Sequence, residues 1–99
     1  GHLALDTIRQ LHVSAFFHAP SALSLNFGLS EHIRELVEVQ RAFIAAADQV
    51  FVLADSSKFE TCAALKVCDL SPRFLYLTDN GLSDEIRDAW KRASLDIIN

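Results

Sequence analysis

The chain lacks the residues on which small disulfide-rich or metal-binding domains depend. Its 99 residues contain two cysteines, three glycines, two prolines and no methionine. Cys62 and Cys68 are farther apart than the usual zinc-binding pair, and such pairs come in twos. The four histidines fall in different predicted elements, namely His2, His12, His18 and His32. We therefore expect reduced thiols, no metal ion and no cofactor.

An excess of positive charge and long apolar runs are also missing. Nine Lys and Arg against thirteen Asp and Glu give a formal net charge of −4, whereas proteins that hold a DNA backbone cluster positive charge. No apolar run approaches the roughly 18–20 residues of a membrane span, and no basic and then apolar leader opens the chain. The glycines are too scattered for a phosphate-binding loop, and no Ser-His-Asp motif is present. We expect a soluble, cytoplasmic chain that binds neither DNA nor a membrane by itself.

The apolar residues are arranged as alternating strands and helices. With 51% hydrophobic residues the chain is too apolar for disorder, and its length allows one domain. Continuous apolar runs predict strands at residues 13–19, 50–54, 74–77 and 95–98. The run at 13–19 is expected to be buried on both faces. Within residues 61–69 we expect a turn of helix and then a short strand near 66–68.

Helical spacing and capping residues predict three helices. The first is a short helix at residues 3–11, and Ser83 is expected to cap the last, whose inward face includes Trp90. The middle helix is predicted to begin at Ser30, with Glu31 in its first turn, and to run to about residue 48. Its apolar stripe consists of Ile33, Leu36, Val37, Phe43, Ile44 and Ala47. Gln40 lies on this stripe and must find a partner or line a cavity. Residues 20–28 are typical of a loop.

This alternation predicts an α/β fold with a mainly parallel sheet and flanking helices. Ligands bind beyond the carboxyl ends of such strands, and two polar segments fall there, residues 55–58 and 78–81. Lys58 could hold a phosphate, Ser56 and Ser57 could donate hydrogen bonds, and Asp55 or Asp79 could accept from sugar hydroxyls. The same residue types also end strands and form turns in most proteins. Both interpretations stay open on this pattern.

Several segments resemble a known family. They are residues 53–59 (LADSSKF), 67–71 (VCDLS), 77–79 (LTD) and 81–86 (GLSDEI), preceded by 28–30 (GLS) and 41–44 (RAFI). In this order, across essentially the whole chain, they resemble the C-terminal effector-sensing domain of DeoR-type bacterial transcriptional regulators. The resemblance implies a sugar isomerase-like fold, shared with ribose-5-phosphate isomerase and glucosamine-6-phosphate deaminase. It also implies a phosphosugar effector, oligomerisation, and an N-terminal winged helix-turn-helix that binds DNA.

The chain also departs from the family's pattern. Residues 18–21 read His-Ala-Pro-Ser where the family usually has Gly-Ala-Asp-Gly, so an acidic residue is missing at Pro20. Gln40 stands where the family usually has lysine, and Glu60 and Ser94 replace usual glycines. The winged helix-turn-helix and the family's early Asp-Ser-Gly-Thr-Thr phosphate loop are absent. We therefore expect residues 1–99 to be part of the sensor domain, beginning partway into it.

Taken with the resemblance, the pattern predicts an effector site and no catalytic residues. The expected site residues are Lys58, Asp55, Ser56, Ser57, Asp79, Thr78 and Gln40. Two other functions stay open, a sugar-phosphate isomerase or deaminase and a structural oligomerisation module whose pocket has decayed. The missing acid at Pro20 disfavours the enzyme, because isomerisation needs a carboxylate base. Too few helices to cover both faces of a sheet predict a dimer or higher oligomer.

Overall fold

Residues 2–99, the part of the chain that the computed structural model describes, form three α-helices and seven strands. The helices are α1 (His2–Arg9), α2 (Arg34–Ala46) and α3 (Asp84–Arg92). The strands are β1 (Val13–His18), β2 (Ala22–Ser24), β3 (Gly28–Glu31), β4 (Ala47–Leu53), β5 (Leu65–Cys68), β6 (Leu75–Leu77) and β7 (Asp96–Ile98). A short 3-10 turn, Ser56–Lys58, follows β4.

The main sheet has four parallel strands in the order β1-β4-β6-β7. This confirms the predicted α/β class with a mainly parallel sheet. Along the chain, each new strand of this sheet is added on the same side of the strand before it. Crossover connections between parallel strands are right-handed, so all three connections lie over one face of the sheet. On that face Phe43 of α2 stacks on Phe16 of β1, and Trp90 of α3 meets Tyr76 of β6. The sheet therefore has one covered face and one open face.

The core lies between the covered face, α3 and a second, smaller sheet. This antiparallel sheet has the order β2-β3-β5 and contributes Leu23 and Leu29, both fully buried. Tyr76 and Trp90 are also fully buried, and their ring centroids lie 5.1 Å apart in an edge-to-face arrangement. Phe59 packs on Trp90 at 5.0 Å. Each large side chain buried in this way contributes about 1.5–3 kcal/mol, so the aromatic cluster ties α3 to β6.

The open face is mostly apolar. Its apolar residues alternate with the core residues along the paired strands and are Ala15, Phe17, Phe51, Leu53, Leu75, Leu77 and Ile98, and the polar Gln49 and Asp96 lie on the same face. Phe17 is 65% exposed and stacks on Phe51 at 4.8 Å. The prediction that residues 13–19 are buried on both faces is therefore wrong. β1 is an edge strand, and in residues 2–99 only its other face is covered.

The predicted loop at residues 20–28 is wrong as well. It contains β2 and the first residue of β3, which pair in a buried hairpin. Gly28 has a φ of +81°, and a Cβ there would lie 2.2 Å from the carbonyl oxygen of Cys68. The small polar residues that indicated a loop are thus used for a tight turn and for a close approach to β5.

The start of the middle helix differs from the prediction. α2 begins at Arg34 with Ile33 as an uncapped N-cap, and it ends at Ala46 where β4 follows directly. Ser30 and Glu31 lie in β3, where the Ser30 hydroxyl accepts a hydrogen bond from the Ala63 N–H at 2.9 Å. Of the predicted stripe, Ile33 and Leu36 are exposed. Both precede the part of α2 that packs on the sheet.

The remaining elements agree with the sequence. The first helix, the strands β4, β6 and β7, and the short strand β5 lie where predicted, within a few residues. Ser83 caps α3 by accepting a hydrogen bond from the Ile86 N–H at 3.3 Å. The expected helical turn within residues 61–69 is not observed there, because the 3-10 turn lies earlier, at Ser56–Lys58.

Glu60 and Ser94 adopt the left-handed backbone conformation that glycine favours, with φ of 59° and 61°. The family resemblance places glycine at both positions. A side chain in this conformation costs roughly 1 kcal/mol. At Glu60 the cost is offset, because its carboxylate accepts hydrogen bonds from the Trp90 indole at 2.9 Å and from the Leu25 N–H at 3.1 Å.

Glycine substitutions should therefore have opposite effects at the two positions. We expect Ser94→Gly to raise the free energy of unfolding by about 0.5–1 kcal/mol, because it removes strain at an exposed residue. Glu60→Gly should lower it by about 1–2 kcal/mol, because the buried Trp90 N–H loses its acceptor. Urea denaturation of both variants measures the difference, and a stabilised Glu60→Gly variant would contradict this account.

Candidate functional site

The two polar loops that follow β4 and β6 meet at the carboxyl edge of the parallel sheet. The Ser56 N–H donates to Asp79 Oδ2 at 3.1 Å, and the Gly81 N–H donates to Asp79 Oδ1 at 2.7 Å. A Cβ on Gly81 would lie 2.7 Å from Ser56 Oγ, so a larger residue there would make the Ser56 side chain move. We call residues 55–58 and 78–81 the rim loops. Sequence reasoning expected these loops to share one edge, and they do.

The two rim carboxylates order the loops in different ways, because Asp79 joins one loop to the other and Asp55 orders its own loop. Asp55 accepts hydrogen bonds from the Ser57 N–H at 2.9 Å and from the Ser57 hydroxyl, and so caps the 3-10 turn. Hydrogen bonds from the Gly81 and Ser56 N–H groups and the Ser56 hydroxyl lower the pKa of Asp79. A carboxylate oxygen can accept more than one hydrogen bond. Asp55 and Asp79 are exposed and keep capacity for an outside donor.

Lys58 supplies the positive charge of the rim loops. Its N–H donates to the Asp55 carbonyl at 3.1 Å, and its own carbonyl accepts from the Thr61 hydroxyl at 2.7 Å, so the backbone is held on both sides. The side chain is half-buried, and its ammonium forms no ion pair with any residue between 2 and 99. A positioned backbone with an uncompensated ammonium is suited to an anionic ligand.

Glu31, the last residue of β3, is the shared acceptor of a polar hydrogen-bond network. Its side chain is 5% exposed and accepts from the Ser21 hydroxyl at 2.6 Å, the His32 N–H at 2.8 Å and Gln40 Nε2 at 2.9 Å. Burial by itself raises the pKa of Glu31, but these hydrogen bonds, with one from the Ile33 N–H, outweigh it and lower the pKa to about 2. The side-chain hydrogen bond of Gln40 therefore goes to Glu31 and to neither rim loop.

Three buried polar atoms keep hydrogen-bonding capacity that no residue in the described range satisfies. They are His18 Nε2, Gln40 Oε1 and Thr78 Oγ1. His18 ends β1 and Thr78 directly follows β6, so both lie at the carboxyl edge. Buried polar groups nearly always have partners. These atoms therefore give the carboxyl edge hydrogen-bonding capacity that a ligand or water could use. Burial lowers the pKa of His18, and the negative charge of Glu31 opposes part of that shift.

His18 is the residue of this group that sequence reasoning did not include in the site. The available signal was a histidine at the end of an apolar strand, at a position where the resembling family has glycine.

A cavity of about 390 Å³ lies between α2 and β5, and none of the predicted site residues lines it. Within residues 2–99, no three His, Cys, Asp or Glu side chains are placed to hold a metal ion. No helix of the described range is long and apolar enough to cross a membrane.

Comparison with known families agrees with this geometry. The family model of the DeoR C-terminal sensor domain matches residues 1–80. The chain belongs to this family. Its parallel sheet with helices on the covered face is consistent with the sugar isomerase-like fold of DeoR sensor domains.

The relatives of this DeoR sensor domain are transcriptional regulators. It is 24% identical over 98 residues to a candidate aga operon transcriptional repressor of Escherichia coli O157:H7, covering 99% of this chain and 36% of that protein. It is 30% identical over 96 residues to a candidate sgc region transcriptional regulator of Escherichia coli K12, covering 97% and 37%. It is 25% identical over 87 residues to the L-fucose operon activator of Haemophilus influenzae, covering 88% and 35%. The chain thus spans about a third of the length of these relatives.

Proposed function

We propose that this DeoR sensor domain binds a phosphorylated sugar or polyol at the rim loops and thereby modulates DNA binding by a complete regulator. The observation that carries the proposal is the meeting of the two loops at Ser56 and Asp79. The same loops contain Lys58, whose ammonium forms no ion pair with any residue of the described range. One relative is named for the L-fucose operon, which agrees with a sugar-derived effector.

The proposed roles follow from charge and hydrogen-bonding capacity. Lys58 would bind the phosphate. The hydroxyls of Ser56 and Ser57, which donate to Asp79 and Asp55 in the absence of a ligand, would rotate to donate to it. Asp55 and Asp79 would accept from sugar hydroxyls, and Thr78 has an unused hydroxyl oxygen at the same edge. Gln40 would accept a hydrogen bond from the ligand through its unpartnered Oε1. Because a ligand shifts a conformational equilibrium only through different affinities for two states, the effector would favour one arrangement of the regulator over another.

Thermal unfolding with a panel of sugar phosphates tests the site. A ligand at about one hundred times its dissociation constant adds about 2.7 kcal/mol, so we expect at least one member to raise Tm by several degrees. The unphosphorylated sugars should have little effect. Lys58→Ala should abolish the shift, whereas Lys91→Ala on α3 should leave it unchanged. Absence of a shift with every member, or an equal shift in Lys58→Ala, would overturn the assignment.

We also propose that the chain self-associates through its open face. Phe17, Leu53 and Ile98 are 65%, 40% and 45% exposed on this one surface, and contiguous apolar surface of this kind favours association. Light scattering at tens of micromolar should give a dimer or higher oligomer. Phe17→Ser should shift the population towards monomer, and Leu3→Ser, at a residue 86% exposed on α1, should not. A monodisperse monomer of the unmodified chain would rule out this association.

The alternative functions receive less support. All three relatives are named as transcriptional regulators, and none of them is named as an isomerase or deaminase. A His–carboxylate pair does form, since His12 Nε2 lies 2.7 Å from Asp48 Oδ1. It lies at the amino ends of β1 and β4, opposite the rim loops. A structural module with a decayed pocket would give the self-association result without any ligand-induced shift in Tm.

A further inference from the structure

The cavity between α2 and β5 has the composition of a small-molecule site. Its volume of about 390 Å³ falls in the range of about 300–1,000 Å³ that is typical of ligand pockets. Its apolar lining comes from Val37 of α2, which is 7% exposed, and from Ala64 and Leu65 at the start of β5. An apolar wall with a few polar groups is the usual arrangement of such pockets.

The charged residues of this cavity are mostly positive, in a chain whose net charge is −4. Arg34, Arg41 and Lys66 line it, with Glu38 as its one acidic residue. Glu38 is paired with Arg41 at 2.6 Å, and Lys66 pairs with Asp69 outside the cavity. Arg34 forms no ion pair with any residue of the described range. The cavity therefore has an uncompensated positive charge beside the positive N-terminal end of α2.

Arg41 is held in place by the edge strand of the small sheet. Its Nε donates to the Val67 carbonyl at 2.7 Å and one Nη donates to the Lys66 carbonyl at 2.8 Å. A third N–H reaches Glu38. A guanidinium carries about five N–H donors, so two remain on a side chain whose geometry is already determined. Preorganised donors of this kind lose little entropy when a ligand binds.

We propose that this cavity binds a small organic anion, a carboxylate or phosphate attached to an apolar group. Arg34 and the free donors of Arg41 would hold the anionic group, and Val37 and Leu65 would contact the apolar part. None of the residues involved belongs to the rim loops. The site is therefore independent of the sugar-phosphate site proposed above, and either could exist without the other.

An NMR titration of the ¹⁵N-labelled chain tests the proposal with four probes. Benzoate and phenyl phosphate carry both features, benzyl alcohol lacks the charge, and inorganic phosphate lacks the apolar group. We expect saturable amide shifts at Val37, Ala64 and Leu65 with at least one of the first two. Benzyl alcohol and inorganic phosphate should bind at least about tenfold more weakly, because each loses one class of contact.

Two variants test whether Arg34 binds the anionic group of the ligand. Arg34→Gln should weaken binding at least about tenfold, since it removes a charge-assisted hydrogen bond. It should leave the remaining spectrum unchanged, because the Arg34 side chain is exposed. Arg92→Gln makes the same change of charge on α3, which does not line the cavity, and should bind as tightly as the unmodified chain. The proposal is overturned by an absence of saturable shifts, by equal binding of benzyl alcohol, or by unchanged affinity in Arg34→Gln.

Discussion

Replacing Glu31 with alanine is expected to lower the free energy of unfolding by about 3–5 kcal/mol, because several neutral donors lose the one acceptor that they share. The carboxylate accepts hydrogen bonds from the Ser21 hydroxyl, from Gln40 Nε2 and from two N–H groups that precede α2. In Glu31→Ala these part-buried donors lose their acceptor, and each group that stays unsatisfied costs about 1–3 kcal/mol. Chemical denaturation compared with the unmodified chain measures the loss.

Glu31→Gln separates the hydrogen bonds from the charge. Its amide oxygen can keep the contacts with Ser21 and the N–H groups, and its amide nitrogen would face Gln40. Gln40 can rotate to present its unpartnered Oε1 to that nitrogen. We therefore expect Glu31→Gln to lose only about 1–2 kcal/mol. Glu35→Ala, an exposed residue of the first turn of α2, should change the stability by less than about 0.5 kcal/mol. A loss below about 1 kcal/mol in Glu31→Ala would show that the network is not structural.

The second large effect is a loss of stability on acidification. The folded chain holds the pKa of Glu31 at about 2, against 4.5 for the free side chain, so the unfolded chain takes up the proton first. The contribution of Glu31 is fully present above about pH 4.5 and is lost as the pH falls towards 2. Its size is on the order of 2 kcal/mol. His18 acts in the same direction from a higher pH, because burial lowers its pKa below 6.5 and the unfolded chain is protonated more readily.

Two variants assign the two parts of this pH profile. Glu31→Gln lacks the titrating carboxylate, so the difference in stability between it and the unmodified chain should shrink steadily below pH 4.5. His18→Phe keeps a ring that can stack on Phe16 and removes the titrating nitrogen, so its stability should fall less as the pH drops below 6.5. Urea denaturation from pH 7 to pH 3 measures both. A stability independent of pH over this range would contradict both assignments.

Local patterns along the chain predicted most elements but not their surroundings. The apolar run of β4 and the Ser83 cap of α3 depend on neighbours in sequence, and both were predicted correctly. The hairpin of β2 and β3 was missed, because both strands are stabilised by partners from a later segment. The Glu60 N–H donates to the Leu23 carbonyl of β2, and the Ala63 N–H donates to the Ser30 hydroxyl of β3. Such contacts join residues that are far apart in sequence, and no local pattern indicates them.

In the candidate site too, one part could be predicted from local patterns and another could not. The ends of two parallel strands must share an edge, so the meeting of the rim loops followed from the order of apolar and polar segments. The hydrogen bond that joins Gln40 to Glu31, and the burial of His18 beside them, depend on how α2 packs over β1 and β3. The spacing of Gln40 on an apolar stripe showed only that it needed a partner.

By itself, the sequence determined the α/β class, the parallel sheet and the resemblance to DeoR sensor domains, because apolar periodicity and short motifs are properties of neighbouring residues. Tertiary structure alone decided which face of the sheet stays open, that Glu31 is a buried shared acceptor rather than a helix-capping charge, and that a basic cavity forms beside β5. These features depend on strand order and on contacts between distant segments. The free energy of packing the whole chain sets them, and no local segment contains that information.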